Sequence, residues 1–322
     1  DGSTHNLDLS FFGRFAEGAD AERNHADVRE LLYTAAWDAY EVRFGVGRVF
    51  WGVTESAHIV DIVNQADQLE DFDGEDKLGQ PMLAVGRYIF TGRIQAFVMP
   101  RVRPRVFGPV FDELTPAPIV EAEARFEDPQ AERDVAYAIR LTQRFGTLDM
   151  GLSYFQGTNR EPRLLACAGR GTGRPGTQQQ ANCNLDEAFD PGIDPLTGFV
   201  LTLTDLLNIG PSSEELEEEF IAEAMRDVVL VPFYDRITQL GVDAQWILGP
   251  AALKLEGRYR EQNGEDQYAA AIGVEYSLGT YFNDIVDAGV LVEYLYDDRD
   301  LSQYLSLFDN DVFLGVRLVG ND

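Results

Sequence analysis

Charged side chains of both signs recur at every second position in one stretch of the sequence. Lys254, Glu256, Arg258 and Arg260 alternate with apolar or small residues. Because successive side chains of a β-strand point to opposite faces, all four would share one face of a strand. Mixed charges on one face suit an aqueous pore whose transverse field sorts polar solutes. They also suit ion pairs that only hold the sheet together, and the sequence leaves both interpretations open.

The same alternation places further charged residues on the corresponding face of other predicted strands. If the apolar faces of these strands meet lipid, the charged face lines a lumen. The predicted lumen-lining residues are Arg43, Arg93, Arg140, Asp149, Asp243, Lys254, Glu256, Arg258, Arg260, Glu275, Glu293 and Arg317.

Residue patterns of catalytic or metal-binding sites are absent from the sequence. The three histidines, His5, His25 and His58, lack metal-ligand spacing. No G-x-S-x-G, glycine-rich phosphate loop or Cys-x-x-Cys occurs. We therefore predict a protein that is not an enzyme and holds no metal or cofactor. An outer-membrane hydrolase with a Ser/His pair at the rim is the enzymatic alternative.

Composition narrows the possible partners. The net charge of −29 argues against nucleic acid, because phosphate contacts need basic patches. The mean hydropathy is −0.20, and no apolar run approaches the roughly 20 residues of a spanning helix. No charged and then apolar leader opens the chain at Asp1, so we expect any secretory signal to have been removed or to lie outside this sequence.

About twelve strands are predicted, four of them in succession between Arg236 and Asp298. Many have ten or more residues, which at about 3.4 Å per residue and a tilt near 40° spans a hydrocarbon core. Their connections alternate between short turns and long loops, as in outer-membrane β-barrels. The predicted long connections are residues 16–26, 51–81, 100–133, 156–234, 261–266 and 299–310.

Aromatic residues collect near the predicted strand ends, as the interfacial girdles of a membrane barrel require. The strand lengths and this distribution favour a membrane barrel over a soluble β-protein, which stays the alternative fold. The residues concerned are Trp37, Tyr40, Trp51, Tyr154, Trp246, Tyr259, Tyr268, Tyr276, Tyr294 and Tyr296.

Two long loops carry features of their own within what we predict to be a single barrel domain, residues 1–322. Residues 51–81 have an acidic tip and apolar positions, which predicts a constriction inside the barrel or a cap over its mouth. Residues 157–235 contain both cysteines, Cys167 and Cys183, whose pairing as a disulfide would imply an oxidising compartment. A capping box at Ser212 predicts a short helix in the same loop.

A basic cluster stands out in this acidic chain. Arg101, Arg103 and Arg105 alternate in sequence and would point one way if the segment is extended. They are predicted either to attract anionic solutes and lipid phosphates or to pair with nearby acidic loops.

Several motifs resemble a family of largely uncharacterised Gram-negative outer-membrane barrels, porin-like in build. They are the sequences WGVTE at 51–55, VDIVNQ at 60–65, DKLGQP at 76–81, GLSYFQGTNREP at 151–162, KLE at 254–256 and EYLYDDR at 293–299. The resemblance runs from about Val28 to Asp322 and implies an antiparallel up-and-down transmembrane β-barrel in the outer membrane. Members continue beyond Asp322 and close with a terminal aromatic, so a longer protein with further strands stays open.

The sequence therefore predicts an outer-membrane channel that passes small polar solutes through a lumen of mixed charge. The alternative is a barrel that serves as a binding or adaptor partner of an envelope export or lipid-transport system. The expected partners are outer-membrane lipid or lipopolysaccharide, small solutes and, for the alternative, a periplasmic or envelope protein.

Overall fold

Twelve long strands form one antiparallel sheet in which every strand pairs with its neighbours along the chain in up-and-down order. The computed structural model describes residues 2–70, 73–111, 115, 117–168, 228–281, 286–299 and 310–320. The sheet consists of β1 (Thr4–Arg14), β2 (His25–Trp37), β3 (Tyr40–Gly47), β4 (Gln80–Ile89), β5 (Gly92–Met99), β7 (Ala136–Phe145), β8 (Leu148–Thr158), β11 (Arg236–Leu248), β12 (Ala251–Gln262), β13 (Glu265–Tyr281), β14 (Val286–Asp297) and β15 (Asp311–Gly320).

A second, small sheet lies within connections that the sequence pattern predicted to be loops. It contains β6 (Arg125–Phe126), β9 (Arg163–Ala168) and β10 (Val228–Tyr234) in the order β6-β10-β9. Part of the predicted loop 157–235 is therefore strand. These strands are short, and β9 and β10 pair across about 60 residues, so alternation alone did not reveal them.

The remaining predictions for that loop fall on residues that the structure does not describe. Cys167 is buried on β9, whereas Cys183 and the predicted helix beginning at Ser212 lie outside the described residues. The disulfide stays a prediction. Within the described part of the chain, no helix has the length and apolar character needed to cross a membrane.

One predicted long loop is wrong. Residues 261–266 contain only a two-residue turn, Asn263 and Gly264, between the paired ends of β12 and β13. Both residues have positive φ, 55° and 76°, as a type I′ hairpin turn requires. The Asn-Gly pair was a local signal for this hairpin, and the polar residues around it obscured that signal.

The two faces of the sheet differ in chemistry. Strand by strand, the outward side chains are large, apolar and exposed, for example Tyr137 on β7, Leu240 on β11 and Ile272 on β13. The inward side chains on the same strands are mostly buried. An exposed apolar face that crosses twelve strands is far larger than the patches of soluble monomers.

The sheet curls so that its inner faces meet the same side chains. Ile59, in the connection between β3 and β4, packs against a cluster containing Phe97 of β5 and also against a cluster containing Leu295 of β14. In a flat sheet β5 and β14 would stand about 29 Å apart, at about 4.8 Å per strand spacing. The architecture is therefore that of an up-and-down β-barrel, with β1 and β15 as its two edges among the described residues.

The Asn263–Gly264 turn provides a test of the hairpin. Gly264→Ala places a Cβ at φ 76°, which is expected to destabilise the folded protein by about 1–2 kcal/mol. Gly289→Ala is the matched control, because its Cβ would meet only the Tyr276 carbonyl oxygen at 3.6 Å. Urea unfolding in detergent micelles, followed by tryptophan fluorescence, would measure both. Equal loss in the two variants would contradict the assignment of the turn.

Candidate functional site

The lumen is occupied by residues 48–79, the connection between β3 and β4, which we name the plug segment (residues 71 and 72 lie outside the described part). Its backbone is bound by a carboxylate on the wall. One oxygen of Glu256 on β12 accepts the N–H groups of Val53 at 2.6 Å and Thr54 at 3.0 Å, and the Thr54 hydroxyl at 2.6 Å. The other oxygen accepts the N–H of Val60 at 3.3 Å.

A second wall carboxylate binds the next residues of the plug segment. Glu293 on β14 accepts the N–H groups of Glu55 at 3.0 Å and Ser56 at 2.7 Å, and the Ser56 hydroxyl at 2.5 Å. Glu256 and Glu293 are fully buried. A buried carboxylate is tolerated when hydrogen-bond donors replace its water, and charge-assisted bonds of this kind are stronger than neutral ones.

A glycine permits this close approach of backbone to carboxylate. Gly52 has φ 134°, and a Cβ there would lie 2.6 Å from Oε1 of Glu256. A side chain at this position would displace the carboxylate that binds Val53 and Thr54.

The opposite side of the plug segment is tied to β2 and β3. The Asn64 side chain accepts the Val49 N–H at 2.9 Å and donates to the carbonyls of Gly47 at 2.9 Å and Leu78 at 2.8 Å. Arg29 on β2 donates to the Lys77 carbonyl at 2.9 Å. The plug segment therefore contacts the wall on both sides of the lumen.

Part of the inner face is apolar and packs against the plug segment. Trp51, Val60 and Val63 are buried in a cluster that includes Phe97 on β5 and Phe155 on β8. The ring centroids of Trp51 and Phe97 are 5.9 Å apart. Trp51 was predicted to belong to the aromatic girdle, and its burial corrects that prediction.

Between the plug segment and β12 a cavity of about 190 Å³ remains. One side of it is rich in arginine. Arg258 and Arg260 from β12 and Arg299, just beyond β14, surround Glu161, which follows β8. Arg299 lies 2.5 Å and Arg260 3.9 Å from the Glu161 carboxylate. Burial alone would raise the pKa of Glu161. The surrounding arginines outweigh this effect and lower the pKa to about 2.

The other side of this cavity is formed by acidic residues of the plug segment and their partners. Lys77 lies 3.3 Å from Asp61, and His58 lies 3.2 Å from Glu75. Burial alone would lower the pKa of His58, but the carboxylates of Glu256 and Glu75 raise it to about 9. His58 is therefore charged at neutral pH.

All twelve residues that were predicted to line a lumen lie on the inner face of the sheet. They do not form one continuous ladder. Arg43 and Arg93 share Glu41, at 2.8 and 3.1 Å. Asp149 pairs with Arg144 at 2.6 Å near the turn between β7 and β8, where both are exposed.

Other predicted lumen-lining residues pair with each other or with the plug segment. Arg140 binds Asp243 at 2.6 Å. Lys254 lies between Glu55 at 2.5 Å and Glu275 at 3.1 Å. Arg317, 3.4 Å from Glu275, stays largely exposed because it is on the edge strand β15.

The basic cluster separates into different environments. Arg101 contacts Glu132 at 2.5 Å on the surface, and Arg103 contacts Asp27 on β2 at 2.8 Å. Arg105 turns inward and donates to the Gln65 side chain at 3.2 Å. The three arginines therefore do not present one basic surface.

Several residues of the cavity were not among the predicted site residues. Arg160, Glu161 and Arg299 lie just beyond strands β8 and β14, where alternation no longer assigns a face. They do fall within two of the motifs that carry the family resemblance, at 151–162 and 293–299. Among the described residues no group of histidine, cysteine and carboxylate side chains has the arrangement of a metal site.

Mutation of Glu293 tests whether its carboxylate anchors the plug segment. Glu293→Ala leaves the N–H groups of Glu55 and Ser56 without their buried acceptor, at an expected cost of about 2–3 kcal/mol. Hydrogen exchange read by mass spectrometry should show faster exchange in peptides covering residues 53–56. Glu261→Ala, at an exposed position on β12, is the control and should leave exchange unchanged. Unaltered protection in Glu293→Ala would refute the anchoring role.

The raised pKa of His58 predicts a pH dependence of stability. Its folded-state pKa of about 9 exceeds the ordinary 6.5, so its stabilising contribution is complete below pH 6.5 and is lost as the pH rises through 9. Thermal midpoints from pH 6 to 10 should therefore fall more for the native protein than for His58→Gln. His5→Gln, which removes an exposed histidine, should follow the native curve. Parallel curves for the native protein and His58→Gln would disprove the effect.

No protein-family model matches this sequence, and no curated protein matches it. Among solved structures, this chain is similar to OmpT of Vibrio cholerae, expressed in the outer membrane, with 9% identity and a TM-score of 0.41 over 90% of this chain and 65% of that one. A loop L8 deletion mutant of the same outer-membrane protein gives 11% identity and 0.43 over 91% and 69%. A porin gives 10% and 0.32 over 89% and 80%. The likeness is loose and concerns outer-membrane β-barrels in general, and the narrower family resemblance has no support from a family model.

Proposed function

We propose that this protein is an outer-membrane channel that passes small polar solutes through a narrow lumen of mixed charge. The proposal includes residence in the bacterial outer membrane and assigns no catalytic role to the chain. The single observation that carries it is the cavity between the plug segment and β12, which is lined by arginines of the wall and by carboxylates of the plug segment.

The outer face supports the membrane location. Its exposed side chains on successive strands are apolar, and aromatic residues such as Trp37, Tyr40 and Trp246 are exposed close to strand ends. Exposure of such an apolar face to water is unfavourable, whereas its contact with the hydrocarbon of a lipid bilayer is not. Short turns lie at one rim of the barrel. The long connections lie at the other rim, together with the short Asn263–Gly264 turn.

The charged inner face supports passage of polar solutes. Charges of opposite sign on two sides of a narrow aqueous path create a transverse field, which orients dipolar solutes and retards apolar ones. Here Arg258 and Arg260 on the wall face Asp61 and Glu75 on the plug segment. Because the plug segment occupies the lumen, we propose that only small solutes pass.

The anchoring of the plug segment favours a second candidate function. Glu256, Glu293 and Asn64 together bind the plug backbone on both sides of the lumen. A barrel whose lumen is filled by a bound segment suits an adaptor, which would be the outer-membrane partner of an envelope export or lipid-transport system. It would show little conductance alone and would co-purify with a periplasmic or envelope protein.

Conductance in planar bilayers separates the two functions. The channel predicts discrete single-channel steps in potassium chloride. Glu275→Lys adds positive charge beside Lys254 and Arg317, so the reversal potential in a salt gradient should shift towards anion selectivity. Asp266→Lys, with the same charge change at an exposed position near the hairpin turn, is the control and should have a smaller effect. A barrel that is silent at every voltage would reject the channel and favour the adaptor.

A further inference from the structure

The cavity beside the plug segment is lined by five arginines, three of which have at most a long contact to a carboxylate among the described residues. Glu161 and Asp297 are carboxylates that contact members of this group. Arg299 contacts both carboxylates, at 2.5 Å and 2.7 Å. Surplus cations in a site with little water are costly unless an anion joins them. The five arginines are Arg105, Arg160, Arg258, Arg260 and Arg299.

Two of these arginines bind only neutral groups among the described residues. Arg160 donates to the carbonyls of Val63 at 3.1 Å and Thr158 at 2.7 Å, and Arg105 donates to the Gln65 amide oxygen at 3.2 Å. Arg160 is only 3% exposed. Burial lowers the pKa of Arg160 to about 10, although the charge of Asp134 acts in the opposite direction.

A third arginine has an unused donor. Arg258 is 6% exposed, and its Nε has no hydrogen-bond partner among the described residues. Its Nη2 lies 3.4 Å from Asp297, a long contact for an ion pair. A buried guanidinium that lines a cavity with a free N–H donor can bind an oxyanion. Arginine binds carboxylate and phosphate through the planar fork of its N–H groups.

The size and position of the cavity restrict the ligand. Its volume of about 190 Å³ lies below the roughly 300–1,000 Å³ of pockets for drug-sized ligands. The acidic tip of the plug segment forms its margin, where the Glu75 side chain is half-exposed. On the plug side, Lys77 pairs with Asp61 and His58 with Glu75, and Asp73 also lines the cavity.

We propose that this cavity is a binding site for a small oxyanion, such as inorganic phosphate or a short dicarboxylate, held by Arg258, Arg160 and Arg105. The anion supplies a negative partner for these three arginines, which have at most a long contact to a carboxylate among the described residues. The site belongs to the folded barrel and does not depend on whether solutes cross it.

Calorimetric titration of the full chain, folded in detergent micelles, tests the site with phosphate and with succinate. Saturable binding is expected, together with a thermal midpoint raised above that in sodium chloride of equal ionic strength. Arg258→Gln and Arg160→Gln should each weaken binding about tenfold, because each removes charge-assisted bonds to the anion. Arg144→Gln removes an exposed arginine of the same inner face near the short turns and should leave binding unchanged.

A variant that is expected to strengthen phosphate binding separates a binding role of the cavity from a structural one. Glu161→Gln removes the carboxylate that competes for Arg299, so it should strengthen phosphate binding while it weakens the unliganded fold. Arg105→Gln replaces Arg258→Gln if the latter does not fold. Binding of phosphate alone or of both anions supports the site and defines its selectivity.

The proposal is overturned if neither anion binds beyond the effect of sodium chloride. It is equally overturned if the arginine variants bind as the native protein does. A silent barrel that binds phosphate would reject the channel and keep the site, whereas a conducting barrel without anion binding would reject the site alone.

Discussion

The interior of this barrel depends on two buried carboxylates that bind backbone rather than cations. Glu256 and Glu293 receive N–H groups from Val53 to Ser56, so the charge of the wall fixes the path of a segment that has no regular secondary structure. Without these acceptors, the N–H groups would be buried unpaired, and each would cost about 1–3 kcal/mol. The cavity lies between this anchored segment and the arginines of β12.

The lumen is chemically asymmetric. Strands β4 to β11 offer Phe97, Phe155 and other apolar side chains, on which Trp51 and Val63 of the plug segment pack. Strands β12 to β14 offer charged and polar groups. Apolar burial of the plug segment is therefore concentrated on β4 to β11, its bonds to carboxylates are on β12 and β14, and the remaining space lies beside β12.

This asymmetry connects the proposed channel with the proposed anion site. A transverse field needs opposite charges along one path, and this cavity is lined both by Asp61 of the plug segment and by arginines of β12. Surplus positive charge attracts anions into the same space, as a focusing cleft does. The proposed solute path and the proposed oxyanion site thus rest on one arrangement of charge.

The sequence by itself determined the twelve strands of the large sheet, their two faces and most of the turns. Alternation is a local property with a period of two residues, so Lys254, Glu256, Arg258 and Arg260 could be assigned to one face without any knowledge of their neighbours. Local signals were also misread, as at Asn263–Gly264. Only the tertiary structure decided where the plug segment lies and which charges are neutralised. The Val53–Glu256 bond joins residues 203 positions apart, and Arg160 and Arg299 lie beyond strand ends. Such contacts follow from the curling of the sheet around a segment whose sequence has no regular period.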